Sequence, residues 1–174
     1  MRHSFLFILL GVLTFAQTSN LKIGKTIEGN FKGIGNKITA TVFQTQEYKG
    51  NPLEDGTPAA YEIRFSDKNM KAIKAGCCEV ILVNEGDLNR DGTDEISLYQ
   101  APMNGCTYTM STYSYIKNTW KQVVKPFLIP TGCDNSHDNL QGRIIREKKG
   151  IFYYQNDLND GNGKLIRKKV VLKN

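Results

Sequence analysis

Residues 78–100 read CEVILVNEGDLNRDGTDEISLYQ and contain two apolar runs separated by a polar segment. The runs at 78–84 and 94–100 are rich in β-branched and aromatic residues, a composition typical of strands. The segment between them is rich in Asp, Asn and Gly, which favour tight turns. The stretch therefore predicts two strands joined by a short polar loop.

The same kind of pattern recurs along the rest of the chain. Further strands are predicted at 38–47, 59–66, 107–117, 119–125, 141–147, 151–156 and 164–172. Lys117-Asn118-Thr119 predicts a tight turn, and the turn formers at 156–163 make 151–172 a long terminal hairpin. Amphipathic helical periodicity is scarce. We predict an all-β protein of small antiparallel sheets with little helix, arranged as a sandwich, a partial barrel or incomplete propeller-like blades.

Length and composition favour one domain. The chain has 174 residues, is 40% hydrophobic and carries a net charge of +6, which supports a folded core and argues against wholesale disorder. We predict a signal peptide at 1–16 and a single β-rich domain at 17–174. That domain divides into two degenerate repeats, about 24–80 and 81–140, and a basic C-terminal hairpin at about 141–174.

The N-terminus has the layout of a secretory leader. Arg2 and His3 precede the apolar run FLFILLGVLTF, and the small residue Ala16 follows it. This run is shorter than the roughly 20 residues of a membrane-spanning helix, and no later run is longer. No cysteine stands at the cleavage point, as a lipid anchor would need. We expect cleavage near Ala16, a periplasmic or secreted protein, and no membrane span.

Export makes the four cysteines disulfide candidates. Cys106 and Cys133 bracket a tyrosine-rich hairpin, so we expect this pair first. Cys77 and Cys78 would point to opposite faces of a strand, which predicts different fates for them. A zinc site is disfavoured because the chain has no C-x-x-C pair and only two histidines.

The 87–95 loop carries the strongest chemical signal. Oxygen-bearing side chains occupy its positions 1, 3, 5 and 9, which are Asp87, Asn89, Asp91 and Glu95. Gly92 at position 6 permits a sharp bend, and the Thr93 carbonyl is available at position 7. Such spacing suits Ca²⁺, which takes six to eight oxygens at about 2.3–2.6 Å. An EF-hand would need Glu at position 12, where this chain has Leu98, and Leu88 is expected to point inward.

The segment GDLNRDGTDEIS resembles the calcium loop of FG-GAP or VCBS repeats, the integrin-α-like units in which this loop joins two strands. The resemblance implies Ca²⁺ as the ion, with ligands from Asp87, Asn89, Asp91, the Thr93 carbonyl and Glu95. More widely, residues 24–133 are similar to small exported Bacteroidetes proteins of unknown function, which implies a compartment and no activity.

A weak internal repeat aligns Gly29–Asn36 with Gly86–Thr93, 57 residues apart. In the first copy the ligand positions carry no carboxylate, and Lys32 would place an ammonium group where a cation should sit. We therefore expect the first copy to be structural.

Positive charge is concentrated at the C-terminus, where residues 141–174 hold nine Lys or Arg against three acids. The candidate anion-binding residues are Arg143, Arg146, Lys164, Arg167, Lys168 and Lys169. They would suit an anionic glycan, a lipid headgroup layer or an acidic protein surface. The alternative is an edge strand whose lysines prevent aggregation. No nucleic-acid-binding signature accompanies this charge.

No catalytic motif stands out. His137-Asp138 lies near Cys133 and Ser136 without a recognisable pattern, and Glu79 and Glu85 flank a strand as a conceivable carboxylate pair. The hypothesis is an exported, calcium-stabilised binding module for a protein or glycan, with a periplasmic inhibitor or immunity-type protein as the alternative and a hydrolase third. The hairpin contains four aromatic residues that could form a contact face, Tyr108, Tyr113, Tyr115 and Trp120. We expect them to pack in the core instead, because β-rich cores are built from such side chains.

Overall fold

The computed structural model describes residues 22–33, 35, 37–51, 54–131, 133, 140–161 and 163–171. Within these ranges there are twelve strands and no helix, which confirms the all-β prediction. The strands are β1 (Ile23–Gly24), β2 (Thr26–Gly29), β3 (Ile38–Gln46), β4 (Ala60–Phe65), β5 (Ile73–Gly76), β6 (Val80–Gly86), β7 (Glu95–Gln100), β8 (Thr107–Ile116), β9 (Thr119–Pro130), β10 (Ile144–Glu147), β11 (Gly150–Asn156) and β12 (Leu165–Lys169).

The strands form three antiparallel sheets, and none of them closes into a barrel. The central sheet has the order β1-β6-β7-β8-β9, the second β2-β3-β4-β5 and the third β10-β11-β12. One core cluster joins residues of the central and second sheets, and the other joins residues of the central and third sheets. The central sheet is therefore the middle of three layers.

Strand β6 shows why the sequence lacks alternation at this point. Val80 and Leu82 belong to the first core cluster, whereas Ile81 and Val83 belong to the second. Successive side chains of a strand point to opposite faces, so a strand covered on both sides is apolar throughout. The unbroken VILV run is the mark of a middle layer.

Some strands were missed and others were longer than predicted. Strands β1, β2 and β5 are two to four residues long, too short to display a period of two. Strand β9 continues to Pro130. The strand predicted at 141–147 is present as β10, shorter than predicted, and it pairs with β11 of the predicted terminal hairpin. The predicted turn between β8 and β9 is present, with Lys117 and Asn118 at φ 51° and 60°.

Both disulfides involve the predicted cysteines, but one pairing differs from expectation. Cys106 pairs with Cys133, as predicted. Cys77 pairs with Cys78 across a cis peptide bond, so the expectation that these two have different partners is wrong. That expectation assumed a strand, whereas the two cysteines lie in the bend between β5 and β6.

The predicted leader lies outside the described residues, and within them no helix has the length and apolar character needed to cross a membrane.

Candidate metal site

The 87–95 loop connects β6 to β7 at one end of the central sheet. Gly86 pairs with Glu95 across the two strands, and a bulge between Asn84 and Gly86 precedes the loop. Gly86 and Gly92 have φ of 72° and 89°, a region that side chains with a Cβ disfavour. These two glycines let the chain leave β6 and bend back toward β7 within a few residues.

The loop is folded by its own polar side chains. The Asp87 carboxylate accepts hydrogen bonds from the backbone N–H groups of Asp91 (3.1 Å) and Gly92 (3.0 Å). Asn89 Oδ1 accepts from the Asp91 N–H at 2.8 Å, and Asp91 Oδ1 accepts from the Thr93 N–H at 2.9 Å. The alternate spacing of these residues therefore serves the loop's own backbone.

Two carboxylates converge on one amide group. Asn89 Nδ2 donates to Asp91 Oδ2 at 2.8 Å and to Glu95 Oε1 at 2.9 Å. Two anionic oxygens thus share a small positively polarised partner, and a hard cation would satisfy both more strongly. Turning the Asn89 amide over would direct its oxygen to the same point, at the cost of the hydrogen bond that Oδ1 accepts from the Asp91 N–H. This donor set fits Ca²⁺ in its chemistry.

The full predicted ligand set is not gathered around that point. Both Asp87 oxygens face backbone N–H groups, and Thr93 is buried at the end of the loop. Within the described ranges, no group of three or more His, Cys, Asp or Glu side chains is placed to hold a metal ion. The convergence consists of two carboxylates and one amide.

Glu95 anchors the loop to the interior. Its side chain is fully buried, and Oε2 accepts the Leu88 N–H at 2.7 Å. Burial raises the pKa of Glu95 to about 7, and the charge of Asp91 adds to that rise, whereas hydrogen bonds from Ser114 and Leu88 oppose it. Leu88 itself is buried in the second core cluster, as predicted.

A second acid, Glu85, lies close to Glu95. Burial raises the pKa of Glu85 to about 7, a hydrogen bond from Ser97 opposes the rise, and the charge of Glu95 adds to it. Glu79, the partner considered from sequence, is instead exposed and forms an ion pair with Lys25 at 2.6 Å. The acid that interacts with Glu85 is therefore Glu95. The period of two along β6 could have indicated that Glu85 faces the interior, since it puts Glu85 on the same face as Ile81 and Val83.

Buried hydroxyl groups line the sheet beside these acids. Ser97, Thr112 and Ser114 are fully buried, and the Ser97 and Thr112 hydroxyls are 2.8 Å apart. Asn89 Nδ2 also reaches Ser114 Oγ at 3.3 Å. The loop therefore rests on a polar strip of β7 and β8 within an otherwise apolar layer.

The two aligned repeat segments lie side by side. Asp94 Oδ2 accepts the Asn30 N–H at 2.8 Å, and the Asp94 N–H donates to the Asn30 carbonyl at 3.0 Å. Asn30 Nδ2 also donates to the Gly92 carbonyl at 2.9 Å. Lys32 forms an ion pair with Asp67 at 2.6 Å. The first segment thus braces the loop from the second sheet.

The basic residues of the C-terminal region divide into two groups. Arg143 is buried and donates to Asn156 Oδ1 at 3.0 Å, Arg146 donates to the Leu88 carbonyl at 2.6 Å, and Arg167 pairs with Glu147. Their guanidinium groups are engaged within the protein. Lys164, Lys168 and Lys169 are exposed at and beside β12.

The hairpin aromatics belong to the interior. Tyr115 is buried, and Trp120 stacks on Phe65 with ring centroids 4.8 Å apart. Tyr113 packs against the first core cluster and Tyr108 against the second. The expectation that these side chains build the core is confirmed.

Residues His137, Asp138 and Ser136 lie outside the described residues.

Comparison of the chain with protein-family models, curated proteins and solved structures found no match.

Proposed function

We propose that this protein is an exported, calcium-stabilised β-domain that works as a binding module. The observation that carries the proposal is the convergence of Asp91 and Glu95 on the Asn89 amide. An ion at that point would replace one weak donor with a full positive charge, and the Asn89 carbonyl oxygen would become a ligand. The resemblance of the loop to FG-GAP and VCBS repeats supports the same ion.

The position of the loop explains what an ion would stabilise. Glu95 belongs to the central sheet, Asn30 follows β2 of the second sheet, and Arg146 on β10 of the third sheet holds the Leu88 carbonyl. Fixing the loop would therefore fix the junction of the three layers. Export is supported by the leader pattern and by the two disulfides, which form in oxidising compartments.

The contact surface we propose is the exposed edge of β12, which carries Lys164, Lys168 and Lys169. Because β12 is the outer strand of its sheet, side chains from both of its faces border this edge. An acidic protein surface or an anionic glycan outside the cytoplasm would complement their charge. An inhibitor or immunity-type role would use the same lysines against the acidic rim of one enzyme. Neither version involves nucleic acid or a membrane span.

Calcium binding is tested by melting the chelator-treated protein with and without added Ca²⁺. An ion at 100 times its Kd should raise the unfolding free energy by about 2.7 kcal/mol. Asp91→Asn should abolish this gain, because it removes a converging charge. Asp55→Asn, an exposed acid in another loop, is the matched control and should keep it. An unchanged melting temperature in the parent protein would contradict the proposal.

The contact surface is tested by retention on an anionic glycan and by pull-down from periplasmic extract. Charge reversal at Lys164, Lys168 and Lys169 should abolish both, whereas the same change at the exposed residues Lys68, Lys71 and Lys74 should not. Retention on glycan supports the module, and a stoichiometric enzyme partner supports the inhibitor. Equal behaviour of the two triple variants would reject this surface.

A further inference from the structure

The outer edge of the third sheet presents a row of backbone hydrogen-bonding groups. The Val170 N–H donates to the Ile151 carbonyl at 2.9 Å, which continues the pairing register of β11 and β12. In an antiparallel pair, hydrogen-bonded positions alternate with positions whose N–H and C=O groups point away from the partner strand. The backbone groups of Leu165, Arg167 and Lys169 therefore point away from β11. Within the described ranges, no strand pairs with this side of β12.

The side chains along this edge are basic. Arg167 is engaged by Glu147, whereas no acidic side chain of the described residues forms an ion pair with Lys168 or Lys169. Because successive side chains of a strand point to opposite faces, these two lysines put a cation on each face of the edge. A second copy of β12 would bring like charges together, so the edge favours an acidic partner over pairing with itself.

A groove of about 170 Å³ lies between β9 and the end of β12. Most of its lining residues are apolar, and they are Val123, Val124, Lys125, Tyr153, Lys169, Val170 and Val171. A cavity of about 150 Å³ can hold a molecule the size of benzene, so this groove has room for one aliphatic side chain. Val171, just beyond β12, is 82% exposed. The basic edge thus adjoins an apolar depression.

The bulged course of β9 opens this groove and protects the edge of the central sheet. The register between β8 and β9 shifts on both sides of Thr112, which leaves Val123 as an extra residue. In a regular strand Val123 and Val124 would point to opposite faces, but here both pack in the second core cluster. Bulges and proline both hinder the addition of a strand, and Pro126 follows within this segment. The register of β12 has no such shift, so its edge can accept a strand.

We propose that the partner binds with an extended acidic segment that adds a fourth strand to the third sheet along β12, with one aliphatic side chain in the groove beside Val170. The proposal rests on the contact surface proposed above and names the form of its partner. The open backbone groups of β12 supply main-chain hydrogen bonds, and the lysines and the groove supply specificity. An anionic glycan would complement the lysines alone, since it has neither a row of peptide groups nor an aliphatic side chain.

The test measures binding of the peptide Ac-EVEVEVE-NH2 to the disulfide-intact protein by calorimetry. The alternation puts Glu on one face of an extended peptide and Val on the other. Replacing each Val with Ser should weaken binding about tenfold or more, because the groove loses its aliphatic occupant. Replacing each Glu with Lys should abolish binding. Methylating every backbone N–H should also abolish it, because the peptide could then no longer pair as a strand.

A pair of variants separates the backbone from the charge. Lys169→Gln removes the charge alone, whereas Lys169→Pro also removes an N–H that points away from β11. Lys169→Pro should bind the Glu–Val peptide about tenfold more weakly than Lys169→Gln. Proline is tolerated at such edge positions, and circular dichroism checks the fold. If Lys169→Pro does not fold, the methylated peptide decides with the parent protein.

The outcomes separate this inference from the contact surface itself. Absence of binding by the Glu–Val peptide, or equal binding of its methylated form, overturns strand addition. If dextran sulfate still binds and charge reversal at Lys164, Lys168 and Lys169 abolishes that binding, the basic contact surface stands and strand addition alone fails. If neither the peptide nor dextran sulfate binds, both proposals fail, and the lysines serve only to protect an edge strand.

Discussion

Replacing Glu85 with Gln should remove about half of the pH dependence of stability that the calcium-free protein shows between pH 4.5 and about 7. The pKa of Glu85 is raised from 4.5 to about 7 in the folded protein, chiefly by burial. Between these two values the folded state holds a proton that the unfolded state has lost. The free energy of unfolding therefore falls as pH rises through this window. The contribution of Glu85 is fully present below pH 4.5 and is lost above about pH 7.

The size of the effect follows from the two pKa values. Their difference corresponds to at most about 3 kcal/mol of stability lost across the window. Glu95, with its pKa also raised to about 7, titrates in the same direction. Because the two carboxyl groups interact, they titrate as a pair. Asp67 acts oppositely, since Lys32 lowers its pKa, but its contribution is lost only below about pH 4, outside this window.

The assay is urea unfolding in chelator at several pH values from 4.5 to 8, with the disulfides intact. Trp120 is the single tryptophan and stacks on Phe65, so its fluorescence should report loss of the core. Glu85→Gln should show a shallower pH slope and exceed the parent in stability at pH 7.5. Glu54→Gln should keep the parental slope. A flat profile for the parent, or an unchanged slope in Glu85→Gln, would refute the reasoning.

Three further predictions concern the framework of the sheets. Gly86→Ala should lower the free energy of unfolding by about 1–2 kcal/mol, because Gly86 has a φ of 72°. A Cβ at this position would meet open space, so the cost should come from the backbone alone. A much larger loss of unfolding free energy in chemical denaturation would contradict this cause. Replacing Cys106 and Cys133 with Ser should lower the free energy of unfolding by about 3–4 kcal/mol, because their disulfide closes a loop of 27 residues. An unchanged melting temperature would contradict this prediction. Arg146→Met should lower the free energy of unfolding by about 1.5–3 kcal/mol, because it leaves the Leu88 carbonyl without its hydrogen bond. If this hydrogen bond stabilises the 87–95 loop, amide hydrogen exchange should become faster in the loop and stay unchanged in β3.

The sequence by itself determined the strand content, the turns and the loop. Alternation and β-branched residues identified most strands, and the Lys117-Asn118 turn followed from a short connection that contains Asn, which tolerates positive φ. The inward position of Leu88 and the Cys106–Cys133 pair were also predictable. These features depend on local geometry, because a strand alternates its side chains and a turn selects its residues over a few positions.

Only the tertiary structure decided what covers each face and which charges meet. The VILV run indicates burial on both sides of β6, but the second and third sheets that cover it come from distant parts of the chain. The pattern of β6 puts Glu85 on a buried face, whereas its nearness to Glu95 depends on the bulge and on the pairing of β6 with β7. The arginines counted as surface charge in the sequence are engaged by carbonyl and carboxylate groups of other strands. The reason is physical: periodicity records the direction of each side chain, while burial, ion pairing and pKa depend on the partner that packing brings to it.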